Sequence, residues 1–240
     1  MTEELAATDA YLRATAATVV EAAGEGVVLD RTVFYARGGG QPGDTGVLRW
    51  AGGEVRVTDT VKQGGVIRHV VAGDPPAAGT AVEAVIDWER RHLLMRTHTA
   101  LHVLSAMVWH DFGAKVTGGN MEPGEARMDF ELEGISVEFG KDVEARLNAA
   151  LAAEHDVEVR FVPRAVALAD PDLIRTKVNL IPETVDPIRV IAIGSVDLQA
   201  DGGTHVANTR EVGRVRVIGT ESKGKGNKRM RISLLKTADS

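Results

Sequence analysis

Trp88-Glu-Arg-Arg-His-Leu-Leu-Met-Arg-Thr-His-Thr-Ala-Leu-His-Val-Leu-Ser-Ala-Met-Val-Trp109 separates two kinds of sequence. The stretch contains no Gly or Pro, and apolar residues recur at Leu94, Leu101, Val103, Leu104 and Val108 with polar ones between them. That spacing predicts one long helix starting just after Asp87, with Gly113 beyond its end as a stop. Upstream, from about residue 14 to 87, the pattern changes to short β-branched runs. These are Thr18-Val-Val, Gly26-Val-Val-Leu, Thr32-Val-Phe-Tyr, Gly46-Val-Leu-Arg-Trp, Glu54-Val-Arg-Val, Val66-Ile-Arg-His-Val and Ala81-Val-Glu-Ala-Val-Ile. Gly-Gly, Asp-Pro-Pro and Gly-Asp punctuate them, as turns punctuate a small barrel or sandwich. Downstream, Val143, Leu147, Ala150 and Leu151 fall at helical spacing within Val137 to about Glu154. Strand-like runs follow at Val157–Val162, Ile188–Ile193, Val212–Ile218 and Met230–Leu235. The expected class is α+β: a β-rich, barrel-like domain over residues 1–88, then an α/β two-layer domain over 89–240.

Composition narrows the functions open to the chain. Of 240 residues, 44% are apolar but only 4% aromatic, so the cores must be built from Val, Leu, Ile and Ala. No apolar run is long enough to span a bilayer, and the acidic start Met1-Thr-Glu-Glu lacks the regions of a signal peptide. A cytoplasmic protein with no membrane partner is expected. The chain has no cysteine, which excludes disulfides, a thiolate nucleophile and cysteine-ligated zinc. The net charge of −6 is unevenly spread: His205 to Ser240 carries +6 and the remainder −12. A basic segment on an acidic body can guide a polyanion to one face, or it can be a solvated, lysine-rich edge strand.

Within the long helix, His98 and His102 are four residues apart and therefore share a face, about 6 Å apart along the axis. Asp201-Gly-Gly-Thr-His205 repeats that spacing a hundred residues later, where Gly202-Gly203 argues for a turn that curls both side chains inward. His98, His102, Asp201 and His205 are the candidate metal ligands. Three imidazoles and a carboxylate suit Zn²⁺ best, with Fe²⁺ or Mn²⁺ as alternatives, and three histidines with a loosely held Asp201 would leave the open position of a catalytic site. Metalloprotease chemistry is not expected, because Thr99 stands where that motif has its glutamate base. His69, His92, His110 and His155 lack ligand spacing and read as structural or surface residues. Trp88, Leu94 and Leu101 read as helix packing, and Arg90-Arg91 as flanking the helix start. Lys223, Lys225, Lys228 and Arg229 lie in a glycine-spaced turn between two strands and read as phosphate contacts. The few aromatics are not interleaved with them, so base stacking is not expected.

Three segments together resemble the editing domain of alanyl-tRNA synthetase and its free-standing relatives, the AlaX-type alanyl-tRNA editing proteins. Arg96-Thr-His-Thr-Ala-Leu-His102 is similar to the family's first zinc motif, and Asp197-Leu-Gln-Ala-Asp-Gly-Gly-Thr-His-Val206 to its second. Leu29 to Gly46 is similar to the glycine-rich motif of the longer members. Where the family usually has Cys this chain has Asp201, a harder but legitimate zinc ligand, which is what admits Fe²⁺ or Mn²⁺. The resemblance implies a deacylase that works in trans on mischarged tRNA(Ala), with one Zn²⁺ per chain, His98 and His102 in the catalytic centre, and no ATP, since no aminoacylation domain is visible. Ser-tRNA(Ala) is the leading substrate. A pocket shaped for alanine rejects serine only about a hundredfold, whereas a site that requires the hydroxyl does better. Thr117 is implied as the contact for that hydroxyl, with an ordinary strand-end threonine as the plain alternative. Gly38, Gly39 and Gly40, with Gln41 and Asp44 as polar contributors, are implied to complete the pocket or meet the acceptor end; otherwise they form a tight turn. Two other readings stay open: hydrolysis of a different aminoacyl-tRNA, and a tRNA-binding protein whose site has lapsed.

Overall fold

The computed structural model describes residues 2–24, 26–179 and 181–235, and the chain divides into two compact units, Met1–Leu94 and Met95–Ser240. The first unit comprises β1 (Glu3–Glu4), β2 (Ala14–Ala23), β3 (Gly26–Leu29), β4 (Arg31–Thr32), β5 (Gly46–Trp50), β6 (Gly53–Gln63), β7 (Val66–Ala72) and β8 (Ala81–Ile86). Six of these close an antiparallel barrel in the order β2-β3-β7-β6-β5-β8. Alternation explains it: along β8, Val82, Ala84 and Ile86 are buried while Ala81 and Glu83 are exposed. Register shifts at Val19/Glu21 and Val57/Asp59 add the local twist that closure needs. Val27, Leu29, Leu48, Val57, Val71 and Ala84 fill the interior, so an aliphatic core suffices.

One expected strand is shorter than its β-branched run. Thr32-Val-Phe-Tyr contributes only Thr32 to a ladder, although Val33 and Phe34 are both buried in the barrel core. Its backbone is satisfied by other groups: Thr32 Oγ1 accepts from Phe34 N at 3.1 Å, Asp44 Oδ2 from Tyr35 N at 2.6 Å, and Thr60 O from Arg37 N at 2.8 Å.

His69 on β7 is structural. Its Nδ1 donates to Val27 O at 3.0 Å, since a carbonyl can only accept, and its Nε2 therefore accepts from Thr32 Oγ1 at 2.8 Å. Burial pushes its pKa down to about 4. The neutral ring is favoured in the fold while the unfolded chain still binds a proton, so this stability is complete above pH 6.5 and is lost as pH falls towards 4. The window corresponds to about 3 kcal/mol. Denaturant titrations between pH 7 and pH 4 should show His69→Phe losing most of this pH dependence, and an unchanged slope would contradict the assignment.

Helix α1 (Trp88–Phe112) begins where the periodicity places it, with the Asp87 carboxylate accepting from Arg90 N at 3.1 Å as a cap. Arg91, expected to flank the helix start, is fully buried. Its guanidinium donates to Ala10 O at 2.9 Å, to Val33 O at 2.6 Å, and through Nε to both Asp44 oxygens at 3.0 and 2.9 Å.

The second unit continues α1 with β9 (Val116–Glu122), β10 (Glu125–Phe130), α2 (Val137–Ala152), β11 (Val157–Val162), α3 (Arg164–Ala169), β12 (Ile188–Ile193), β13 (Asp197–Ala200), β14 (Val215–Ser222) and β15 (Lys228–Leu234). The strands form a four-stranded antiparallel sheet, β14-β15-β10-β9, and a three-stranded one, β11-β12-β13. Helix α2 starts at a Ser136 cap and buries Gly140, Val143, Leu147 and Leu151, one stripe at helical spacing. At Gly140 an added Cβ would stand 3.0 Å from Thr220 Cγ2 of β14, so any side chain there would press on that strand. Asn148 pairs with Val215 N and O at 2.8 Å each, and Glu144 accepts from Val217 N, so α2 satisfies the edge of β14. The α+β class holds, with a closed barrel first and a sheet-and-helix unit second. Among the described residues no helix is long and apolar enough to cross a membrane.

Candidate metal centre

Helix α1 is buried on every side from Thr97 to Ala106, so its polar residues are buried with its apolar ones. Buried polar groups need partners, and here most of the partners define a site. His98 and His102 face Asp201 and His205, and one ligand atom from each of the four lies within 4.8 Å of the others. His98 Nε2 is 3.6 Å and His102 Nε2 4.0 Å from Asp201 Oδ1, and His205 Nε2 is 3.1 Å from Asp201 Oδ2. The rings of His98 and His205 stack at 4.3 Å, and His102 stands edge-on to both. Asp201-Gly-Gly-Thr-His205 forms an irregular turn in which Gly203 N donates to Asp201 Oδ2 at 2.5 Å.

Two imidazoles are oriented by groups behind them. His102 Nδ1 donates to Asp197 Oδ2 at 2.9 Å, which leaves Nε2 bare toward the centre. Asp197 is itself held by Arg175 Nη1 at 2.7 Å, with both side chains buried. The single hydroxyl proton of Thr99 goes to Met95 O at 2.9 Å, so at its 3.2 Å contact with His205 Nδ1 the oxygen accepts. That fixes His205 Nε2 as a bare lone pair. Hydrogen-bonded outer partners of this kind are the usual support of metal-binding histidines. Sequence reading gave Thr99 only an excluding role and gave Asp197 and Arg175 none. Period-2 alternation along β13 is the signal for Asp197, because residues 197, 199 and 201 then share one face.

Electrostatics fit a cation. Burial, aided by neighbouring cationic groups, drives the His98 pKa down to about 4 and the His205 pKa well below its ordinary value, so both rings are neutral, the form in which an imidazole can ligate a metal. Burial also lowers His102, but the Asp197 hydrogen bond and the carboxylate charges outweigh it and raise its pKa. Burial alone would raise Asp201, but positive charge on the surrounding imidazoles, His98 first, outweighs it and holds the carboxyl well below the usual carboxylate range; with the rings neutral, a bound cation would supply that charge instead. The His205 Nε2 lone pair then faces a carboxylate oxygen at 3.1 Å. Two acceptors at that distance need positive charge near them, and three nitrogens and one oxygen are a donor set for Zn²⁺, Fe²⁺ or Mn²⁺. The residues fit such an ion.

Other candidate residues divide. Thr117 is exposed on β9, and its Oγ1 donates to Asn227 Oδ1 at 3.0 Å. Lys223 and Lys225 are exposed in the β14–β15 turn. Lys228 is buried instead, its Nζ donating to Gly224 O at 2.8 Å, and Arg229 makes a two-pronged pair with Asp129 at 2.7 and 2.8 Å. Lys228 braces the turn, and Arg229 ties β15 to β10. In the glycine-rich loop, Gly39 and Gly40 adopt φ of +57° and +85°, and Gly38 and Gln41 bond to each other through their backbones. The Gln41 and Asp44 side chains, expected as the loop's polar contributors, are each 1% exposed. Asp44 is committed to Arg91 and to Tyr35 N, so Gly38, Gly39 and Gly40 remain as the part of the loop a ligand can approach.

Residues 7–90 match the family model described as tRNA synthetases class II (A), and residues 188–231 match the threonyl and alanyl tRNA synthetase second additional domain. The chain is 38% identical to the alanyl-tRNA editing protein AlaX-M of Saccharolobus solfataricus, over 96% of this chain and 98% of that protein. It is 36% identical to the AlaX-M of Methanosarcina mazei, over 99% and 98%. The alanine–tRNA ligase of Pyrobaculum arsenaticum is 38% identical over 90% of this chain, which spans only 25% of the ligase. The chain belongs to the AlaX-M family of alanyl-tRNA editing proteins.

Proposed function

We propose that the protein hydrolyses the aminoacyl ester of mischarged tRNA(Ala), foremost Ser-tRNA(Ala), at a centre formed by His98, His102, Asp201 and His205. As a member of this family it is an aminoacyl-tRNA deacylase, a hydrolase. Residues 89–240 are assigned to the deacylase domain and residues 1–88 to the barrel that carries the glycine-rich loop. The observation that carries the metal-dependent reading is the pair of imidazoles pinned from behind, His102 by Asp197 and His205 by Thr99. A divalent cation, Zn²⁺ first, would be held by the four side chains. When bound, it supplies Lewis acidity that polarises an ester carbonyl and lowers the pKa of water. The residues themselves exclude solvent, present neutral nitrogens and keep Asp201 ionised.

Specificity for serine is assigned to Thr117. Its hydroxyl proton is given to Asn227, so its lone pairs can accept from a seryl hydroxyl. In deacylation assays with Ser-, Gly- and Ala-tRNA(Ala), wild type should prefer the seryl ester. Thr117→Val should lower that preference by roughly tenfold, the worth of one hydrogen bond at a site built for it. Equal rates on all three esters by wild type would remove the serine assignment. Lys223 and Lys225 are assigned to phosphates. Replacing both with Gln should weaken tRNA binding and reduce the slope of log K against log salt by about two, measured by filter binding from 50 to 200 mM salt. An unaltered slope would contradict this.

A further inference from the structure

The row of side chains that reaches Asp201 continues across the three-stranded sheet. Register pairs Phe161 of β11 with Arg189 of β12, and beyond the last β12–β13 pair Asp201 N donates to Arg189 O at 3.2 Å. Residues directly opposite in antiparallel strands share a face. Asp201, Arg189 and Phe161 therefore lie abreast, on the face that also carries Asp197. Two strand spacings put Phe161 about 10 Å from Asp201. Arg189 fills the interval, its Nη1 donating to Asp201 O at 2.9 Å. Beyond it the face opens to solvent: Phe161 is 49% exposed, and its neighbour Val159 is exposed as well. Neither belongs to the apolar cluster beneath β11. On the other face of β11, Val162 packs against the cluster of Ile188, Val190 and Leu173. In the adjoining row, Gln199 stands opposite Ile191 and Ile191 opposite Val159. Gln199 Oε1 is buried there without a hydrogen-bond partner among the described residues.

We propose that Phe161 is a stacking platform for the nucleobase at the aminoacylated end of the tRNA, so that the ester lies at the metal centre while the base lies on the ring. This rests on the deacylase reading. The amino acid hangs from a ribose, and one nucleoside spans the interval between Asp201 and Phe161. An aromatic face accepts any base, which suits an end that needs holding rather than reading.

Steady-state deacylation by the full chain tests it. Phe161→Ala should raise KM for Ser-tRNA(Ala) by roughly tenfold to a hundredfold, with kcat within about twofold and metal content unchanged. Phe161→Trp should restore KM, and Phe161→Leu, which keeps apolar area without a π face, should not. An unchanged KM in Phe161→Ala, or full function in Phe161→Leu, overturns the proposal. So does a wild type that sediments as a dimer while Phe161→Ala sediments as a monomer with unaltered KM, because the face then belongs to a second copy. Uncharged tRNA with 2-aminopurine as its terminal base separates this proposal from the reading beneath it. Quenching by wild type that is lost in Phe161→Ala supports the platform even if no ester is hydrolysed, and equal quenching by both overturns it.

Discussion

Alanine at His98 should lower deacylation of Ser-tRNA(Ala) on the order of a thousandfold, the rate equivalent of the several kcal/mol that a Lewis acid supplies. The substitution removes one of four donors from a group whose ligand atoms all lie within 4.8 Å of one another. The loss should come with loss of bound metal and without unfolding. Alanine is the best helix former, and α1 is held around the site by Arg96 donating to Val212 O at 2.9 Å and by Thr97 Oγ1 accepting from Gly124 N at 3.0 Å. Circular dichroism, elemental analysis and single-turnover rates on the same preparation would check all three. Retained activity after the metal has gone would separate His98 from the chemistry.

The other large effect is on stability. Arg91→Ala should destabilise the barrel unit by about 3–5 kcal/mol, because it leaves the Asp44 carboxylate buried without its cation. The loss includes the hydrogen bonds to Ala10 O and Val33 O, which tie the first turn of α1 to two backbone segments. Arg91→Lys should rescue little, since a point charge cannot serve three acceptors in the geometry of a planar fork. The double replacement Arg91→Met with Asp44→Leu should recover most of the lost stability, because no unpaired charge then stays inside. Urea titration of wild type and the three variants checks each of these. A cost below about 1 kcal/mol for Arg91→Ala would show that the pair is solvated after all.

Period and punctuation made much of this molecule legible. The barrel followed from β-branched runs broken by glycine, and α1 followed from an unbroken stretch between Asp87 and Gly113. His98 and His102 could be paired because helical spacing is rigid, and Asp201 with His205 because two glycines let a short turn do what a helix does elsewhere. The β9–β10 hairpin was not foreseen, since Gly118-Gly119 dilutes its first strand and Pro123 interrupts the run. Registry, which charge alone does not reveal, decides where two of the basic residues point. Lys228 alternates with Met230 and Ile232 and so points inward from β15, and Arg229 meets Asp129 from the neighbouring strand. No local pattern marks Asp44 as the partner of an arginine 47 residues away. Thr99 was equally opaque: its value lies in a lone pair offered to a histidine 106 residues downstream. Phe161 lies in an ordinary strand-like run in sequence, and only the pairing of β11 with β12 sets it in line with Asp201.

The most direct measurement is single-turnover deacylation of Ser-tRNA(Ala) by protein stripped of metal and then titrated with Zn²⁺, with bound metal determined at each point. Activity should rise from near zero in proportion to bound ion, saturating at one equivalent per chain in wild type and failing to rise in His205→Ala. Full activity in the stripped protein, or saturation that leaves His205→Ala as active as wild type, would contradict the account.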